Sequence, residues 1–187
     1  KDGAMGDFGT EIISAEQQGQ CFPLRGVSND IPFQDSLFEE YRQTIHPPFK
    51  LYLFGSGHDV QSFSELASHL GWTTTVVLCE ESPRYPDDFP NATHVIRATG
   101  NELKNLKPDL QSAAVVMTHN FEKDLDYIQG LLGFNIAYLG MIGSMKRKTK
   151  LENYLTSAGF TEAEIKHINT PAGLDIGSET PEEIALS

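Results

Sequence analysis

From residue 50 onward the chain alternates apolar, strand-like runs with helix-like segments, and this alternation limits the fold more than any other feature. A strand over 50–54 leads into a helical stretch over 58–70, ended by Gly71. A strand over 74–79, "TTVVLC", comes next, followed by a loop, "EESPRYPDDFPN", that carries three prolines. The pattern then predicts a short strand over 94–98, a short helix near 101–106 and a strand over 113–118, "AAVVMT". A helix over 121–132, a strand over 135–139 ("NIAYL") and a helix over 145–158 follow. In that helix Leu151, Tyr154, Leu155 and Ala158 recur at helical spacing, and Gly159 suits its stop. A last helix opens at "TPEE", with Thr180 as cap, Pro181 as first residue and Glu183 completing a capping box; it is expected to run on past Ser187. Strands alternating with helices give a parallel sheet with helices on both faces. "TTVVLC" and "AAVVMT" are apolar throughout, as strands buried on both sides should be.

Residues 1–47 carry turn formers but little periodicity, so they read as an irregular N-terminal arm or linker. Residues 1–6, which include "GAMG", read as a tag-cleavage scar and take no part in fold reasoning. Pro47-Pro48 marks the boundary, because proline imposes an extended approach. The domain proper is expected over 48–187: an α/β fold, a Rossmann-like doubly wound parallel sheet.

The 187 residues carry a formal net charge of −12. So acidic a chain is a poor general binder of nucleic acid, which demands clustered Lys and Arg. It has no apolar run near the ~20 residues that span a bilayer. Its two cysteines, Cys21 and Cys79, lack the spacing of a zinc or redox site. These features point to a cytoplasmic protein with no metal site, and Cys79 reads as a small filler at the end of a buried strand.

In doubly wound folds ligands bind beyond the carboxyl ends of the strands. After the first strand stand Gly55, Ser56, Gly57, His58 and Asp59. Thr118, His119 and Asn120 follow "AAVVMT", where Asn120 also suits a helix cap. Gly140 to Ser144 follow "NIAYL", with glycines at 140 and 143. A fourth loop holds Gly173, Asp175 and Gly177. Glycine in three of the four allows close approach of backbone to a ligand. The turn after the first strand is close to G-x-G-x-x-G, but its sixth position is Val60. Leu78 stands where an NAD-binding fold carries an acid for the ribose, and Glu80 and Glu81 come only later. An NAD(P)-dependent oxidoreductase is therefore the alternative reading.

"GSMKRKTK" over 143–150 is the most informative stretch. Ser144 caps a helix, which puts Lys146, Arg147 and Lys148 in its first turn and Lys150 just after. The amino end of a helix already carries about half a positive charge. Four of the chain's fourteen Lys and Arg residues thus gather where the dipole disfavours them. An anion at that end reverses the sign of the arrangement. Arg147 is then expected to grip a phosphate near Gly57, and its removal to cost binding rather than stability.

These motifs also carry a resemblance. "LYLFGSGHDV", "GWTTTVV", "VVMTHN", "YLGMIGS" with "KRK", "AGF" and "PAGLDIGSETPEEIALS" resemble the C-terminal Rossmann domain of the XdhC/CoxI family over roughly residues 46–187. These are accessory or maturation factors of xanthine dehydrogenase and carbon monoxide dehydrogenase. The resemblance implies a non-catalytic chaperone that binds molybdopterin, the molybdenum cofactor, in its simple or dinucleotide form. It implies partnership with a cysteine desulfurase, which sulfurates the cofactor, and with a xanthine dehydrogenase-type molybdenum hydroxylase, which receives it. A homodimer is expected. By the same resemblance Gly55, Gly57, His58 and Asp59 match the family's first loop, and Thr118 and His119 its "TH" motif, where Asn120 replaces the usual Asp. Gly140, Gly143, Ser144, Lys146 and Arg147 match its glycine-rich loop and basic helix start, and Gly173, Asp175, Gly177, Glu179 and Pro181 its final motif. Val60 for the common Ala and Leu78 for an acid depart from it. The family's cysteine-bearing N-terminal domain is not recognisable, so the chain reads as one domain of a longer protein.

Overall fold

The structure, a computed structural model, describes residues 47–187. The arm expected over 1–47 lies, but for Pro47, outside the described residues.

Among the described residues six strands form one sheet: β1 (Lys50–Phe54), β2 (Thr73–Leu78), β3 (His94–Arg97), β4 (Ser112–Val116), β5 (Tyr138–Met141) and β6 (Ile168–Asn169). All pairings are parallel and the order is β3-β2-β1-β4-β5-β6. The helices are α1 (His58–His69), α2 (Phe121–Leu131), α3 (Met145–Ser157), α4 (Glu162–Lys166) and α5 (Pro181–Leu186), with 3-10 turns at Pro86–Asp88 and Gly100–Asn105. This is the Rossmann-like arrangement that the alternation predicts.

The strands separate two apolar layers because successive side chains point to opposite faces. Leu51, Leu53, Val76, Leu78, Ala113 and Val115 pack with Val60 and Ala67 of α1. Tyr52, Phe54, Val77, Ala114, Val116 and Met141 pack with Leu125, Ile128 and Leu131 of α2 and Leu151 and Leu155 of α3. Phenol groups brace the second layer: Tyr127 donates to the Ala98 carbonyl at 2.9 Å and Tyr52 to that of Leu106 at 3.2 Å.

Three expectations need correction. β5 is Tyr138–Met141, not 135–139. Its register is set by pairing with β4, Ala113 against Tyr138 through Val116 against Met141, which outweighs the apolarity of "NIA". β2 ends at Leu78, so Cys79 lies past the strand and is only half-buried. The short helix near 101–106 is the 3-10 turn at Gly100–Asn105, capped by Thr99 and Glu102. α4 and β6 are additions to the expected elements; each is five residues or shorter, too brief for a periodic signal, and only the Thr161–Glu164 capping box marks the start of α4 in the sequence.

Candidate functional site

Strand order reverses between β1 and β4, which opens a crevice at their carboxyl ends. The turn after β1 and the loop after β4 meet there. Gly55 permits the meeting: a Cβ on it would stand 2.5 Å from the Met117 carbonyl oxygen. Val60 fills the remaining space from the α1 side and is fully buried, its Cγ2 3.1 Å from that same Cβ position. A valine at the sixth position is thus accommodated by the missing side chain at the first.

Asp59 and His119 bridge the crevice. Nε2 of His119 lies 2.8 Å from Oδ2 of Asp59. Oδ1 of Asp59 accepts from the Val60 amide at 3.0 Å. The Asp59 side chain is 7% exposed, whereas that of His119 is 63% exposed. His119 has φ +58°, the left-handed region that non-glycine residues seldom occupy. Such a conformation costs of order 1–3 kcal/mol and persists where surroundings impose it. The bond to Asp59 is one such constraint. Asn120, capping α2 through bonds from the amides of Glu122 and Lys123, is another.

A second, buried cluster lies beneath. Asp124 of α2 is fully buried. Its Oδ1 accepts from the Thr118 amide at 3.2 Å and from the Thr118 hydroxyl at 2.5 Å. Its Oδ2 accepts from the Arg147 guanidinium at 2.5 Å. One carboxylate therefore ties the β4 loop, α2 and α3 together. The Arg147 side chain folds back over Gly143, where a Cβ would meet its Cδ at 2.8 Å. Ser144 caps α3, accepting from the Arg147 amide at 3.4 Å. The Nε of Arg147 is buried with no hydrogen-bond partner among the described residues.

The basic helix start thus divides. Arg147 is neutralised by Asp124, and the Lys150 ammonium sits 3.8 Å over the Phe121 ring, a cation–π contact. Lys146 is exposed and Lys148 half-buried, and neither ammonium has a partner among the described residues. The Arg147 guanidinium, expected to grip a phosphate near Gly57, is committed to Asp124.

Among the described residues the remaining sequence candidates form no side-chain hydrogen bond to either cluster. Ser56 is half-buried at the turn. His58 bonds Gln61 along the surface of α1 at 2.9 Å. Gly140 sits inside β5 against Tyr138 and Ala172, a packing position. The fourth loop joins the end of β5 through the Ala172 amide and the Met141 carbonyl. Beyond that, Gly173 turns at φ +84° against Ser187, Gly177 turns at φ +73°, and Asp175 is exposed.

Sequence reasoning missed Asp124. It had a signal: Asp124, Tyr127, Ile128 and Leu131 fall at i, i+3, i+4 and i+7, so an acid stands on the buried stripe of α2. Also missed was a surface group past β2. The Lys123 ammonium lies 2.9 Å from the Cys79 sulfur and 3.0 Å from Glu81. Cys79 and then Glu81 hold its pKa above the ordinary lysine value, and Lys123 in turn holds the Glu81 carboxyl below its own. Among the described residues no three His, Cys, Asp or Glu side chains converge to hold a metal ion, and no helix is long and apolar enough to cross a membrane.

A family model described as the XdhC Rossmann domain matches residues 51–187. A probable xanthine dehydrogenase subunit of Bacillus subtilis (strain 168) is 32% identical over 173 residues, covering 88% of this chain and 50% of that protein. "Uncharacterized protein YqeB" of Escherichia coli (strain K12) is 29% identical over 142 residues, covering 74% of this chain and 26% of that protein. A crystal structure of a xanthine dehydrogenase from Bacillus halodurans matches with a TM-score of 0.63 at 30% identity, covering 75% of this chain and 40% of that one. The chain spans half or less of the length of these relatives. The matched residues take in both carboxylate clusters and all four loops, and the chain belongs to the XdhC family, with residues 51–187 as its XdhC Rossmann domain.

Proposed function

We propose that this domain binds the molybdopterin cofactor for an accessory protein that matures a xanthine dehydrogenase-type molybdenum hydroxylase, with a cysteine desulfurase supplying sulfur. Family membership and the naming of its relatives support the link to xanthine dehydrogenase. The observation that carries the cofactor reading is the orphaned, buried Nε–H of Arg147 at the start of α3. Its neighbours in sequence, Lys146 and Lys148, carry ammonium groups that are unpaired among the described residues. The first amides of α3 have no intrahelical acceptor. Surplus donors and positive charge at a helix start, in a chain of net charge −12, fit the terminal phosphate of a pterin cofactor. Bound there, the cofactor would supply the molybdenum chemistry of the client enzyme. This chain's part is to hold the anionic tail and keep it oriented.

The test is native mass spectrometry of protein purified anaerobically from a host that makes molybdopterin, wild type beside Lys146→Ala/Lys148→Ala. Co-purified pterin in the wild type and its loss from a folded variant are expected. Wild-type protein that carries no pterin and does not bind it when added would refute the reading.

A further inference from the structure

At the first helix of a dinucleotide-binding fold, the second glycine of the turn clears a space and the helix amides point into it, so the pyrophosphate settles there. In this chain that glycine is Gly57, and the space it clears is taken. A Cβ on Gly57 would collide with Oδ1 of Asp59 and lie 3.6 Å from Nε2 of His119. Asp59 is 6% exposed and both of its oxygens are engaged, Oδ1 by the Val60 amide and Oδ2 by His119. Its carboxylate does for α1 what a phosphate does elsewhere. It puts negative charge at the positive end of the helix and accepts from a first-turn amide. A second anion brought to this point meets the like charge of a buried carboxylate, where repulsion is less screened than at the open surface.

The acid that holds a ribose in a dinucleotide-binding fold is also displaced, since the first carboxylate, Glu80, stands two residues past the end of β2. Leu78, 1% exposed, occupies the end of β2 where an acid would hold the ribose. The next backbone carbonyls, of Cys79 and Glu80, are taken by the Arg97 guanidinium, and the Glu81 carboxylate is paired with Lys123. What the crevice does present is the imidazole of His119, 63% exposed, with Nε2 committed and no partner at Nδ1 among the described residues.

We propose that Asp59 is a specificity-determining residue: it fills the phosphate cradle of the fold from within, shuts out pyrophosphate-bearing nucleotides, and leaves the crevice to an uncharged, hydrogen-bonding part of a ligand at His119. This assignment is independent of where a pterin phosphate binds, and its test contains no pterin, so either reading can fail alone.

The test is calorimetric titration of the 187-residue chain with ADP-ribose and with inorganic pyrophosphate. Wild type is expected to bind both ligands only weakly, with a measurable Kd on the order of 1–10 mM. Asp59→Ala removes charge and bulk together and should gain about tenfold or more in affinity for both ligands. Asp59→Asn keeps the shape and the acceptor for Val60, so it preserves the fold. It should gain roughly threefold by loss of charge alone. Circular dichroism establishes which variants are folded, and if Asp59→Ala does not fold, Asp59→Asn decides. Micromolar binding of ADP-ribose by wild type, or folded variants that gain nothing, would overturn the proposal.

Discussion

The guanidinium of Arg147 donates to the fully buried carboxylate of Asp124 across 23 residues of sequence. Among the described residues Asp124 has no other cation beside it, and Arg147 is itself only 22% exposed. Removing one member of such a pair strands the other charge in a low dielectric, at a cost of roughly 3 kcal/mol or more. Arg147→Ala should therefore lower the melting temperature of the ligand-free protein by several degrees. Asp124→Ala should do the same and also loosen the Thr118–Asn120 loop. Thermal denaturation by circular dichroism checks both. An Arg147→Ala protein as stable as wild type would show that the pair is not structural.

Acid should weaken the fold through its helix caps. Glu102, Glu164 and Glu183 each complete a capping box. Bonds from the Thr99 amide, the Thr161 hydroxyl and the Glu179 amide, respectively, are the main reasons their carboxyls titrate below the ordinary range. The Lys50 ammonium does the same for Asp109. In each case the folded pKa is depressed, so the unfolded chain binds the proton more tightly. The stabilisation is then fully present above the unfolded value of about 4.3 for Glu and 3.9 for Asp, and is lost as pH falls through the lower folded values. Melting temperature should fall as pH drops from 5 towards about 2. Glu183→Ala should lower it at neutral pH and flatten part of that slope.

The sheet was legible because its information is local. Six-residue runs such as "TTTVVL" satisfy a buried strand wherever they fall, and a Ser or Thr cap followed by Glu three residues later announces a helix start by itself. β5 was misplaced because its limits depend on Val116 meeting Met141, a pairing that no window of sequence contains. The site was half legible for the same reason. The loops that carry Asp59, His119 and Arg147 could be found one by one, but the partners could not. Asp59 meets His119 across 60 residues. The free-looking charge of Arg147 is answered by an acid on another helix.

Gly55→Ala tests the closeness of β1 and β4. The added methyl would stand 2.5 Å from the Met117 carbonyl oxygen, and that neighbour is backbone, which cannot swing aside. Overpacking of this kind costs typically 1–3 kcal/mol. The Asp59–His119 bond should suffer as well, since it spans the two displaced loops. Urea denaturation and the imidazole proton signals of His119 report the two effects separately. Wild-type stability in Gly55→Ala would mean that the turn has slack.

His119 offers a cleaner separation of strain from bonding. Replacing it by Ala removes the hydrogen bond to Asp59 and leaves a buried carboxylate oxygen short of a donor, at about 1–3 kcal/mol. Replacing it by Gly removes the same bond. The two variants differ in how they tolerate φ +58°. Alanine keeps the steric conflict of the left-handed region, about 1–2 kcal/mol, which glycine escapes. Glycine gives back part of the difference through its more flexible unfolded chain, about 0.4–1 kcal/mol. The net expectation is that both variants are less stable than wild type and that His119→Gly is the more stable of the two by about 0.5–1 kcal/mol. Paired urea melts resolve a difference of that size. If His119→Ala proved equal or superior, residue 119 would not be held in the left-handed conformation in solution, and the Asp59 bond would have to form from a relaxed loop.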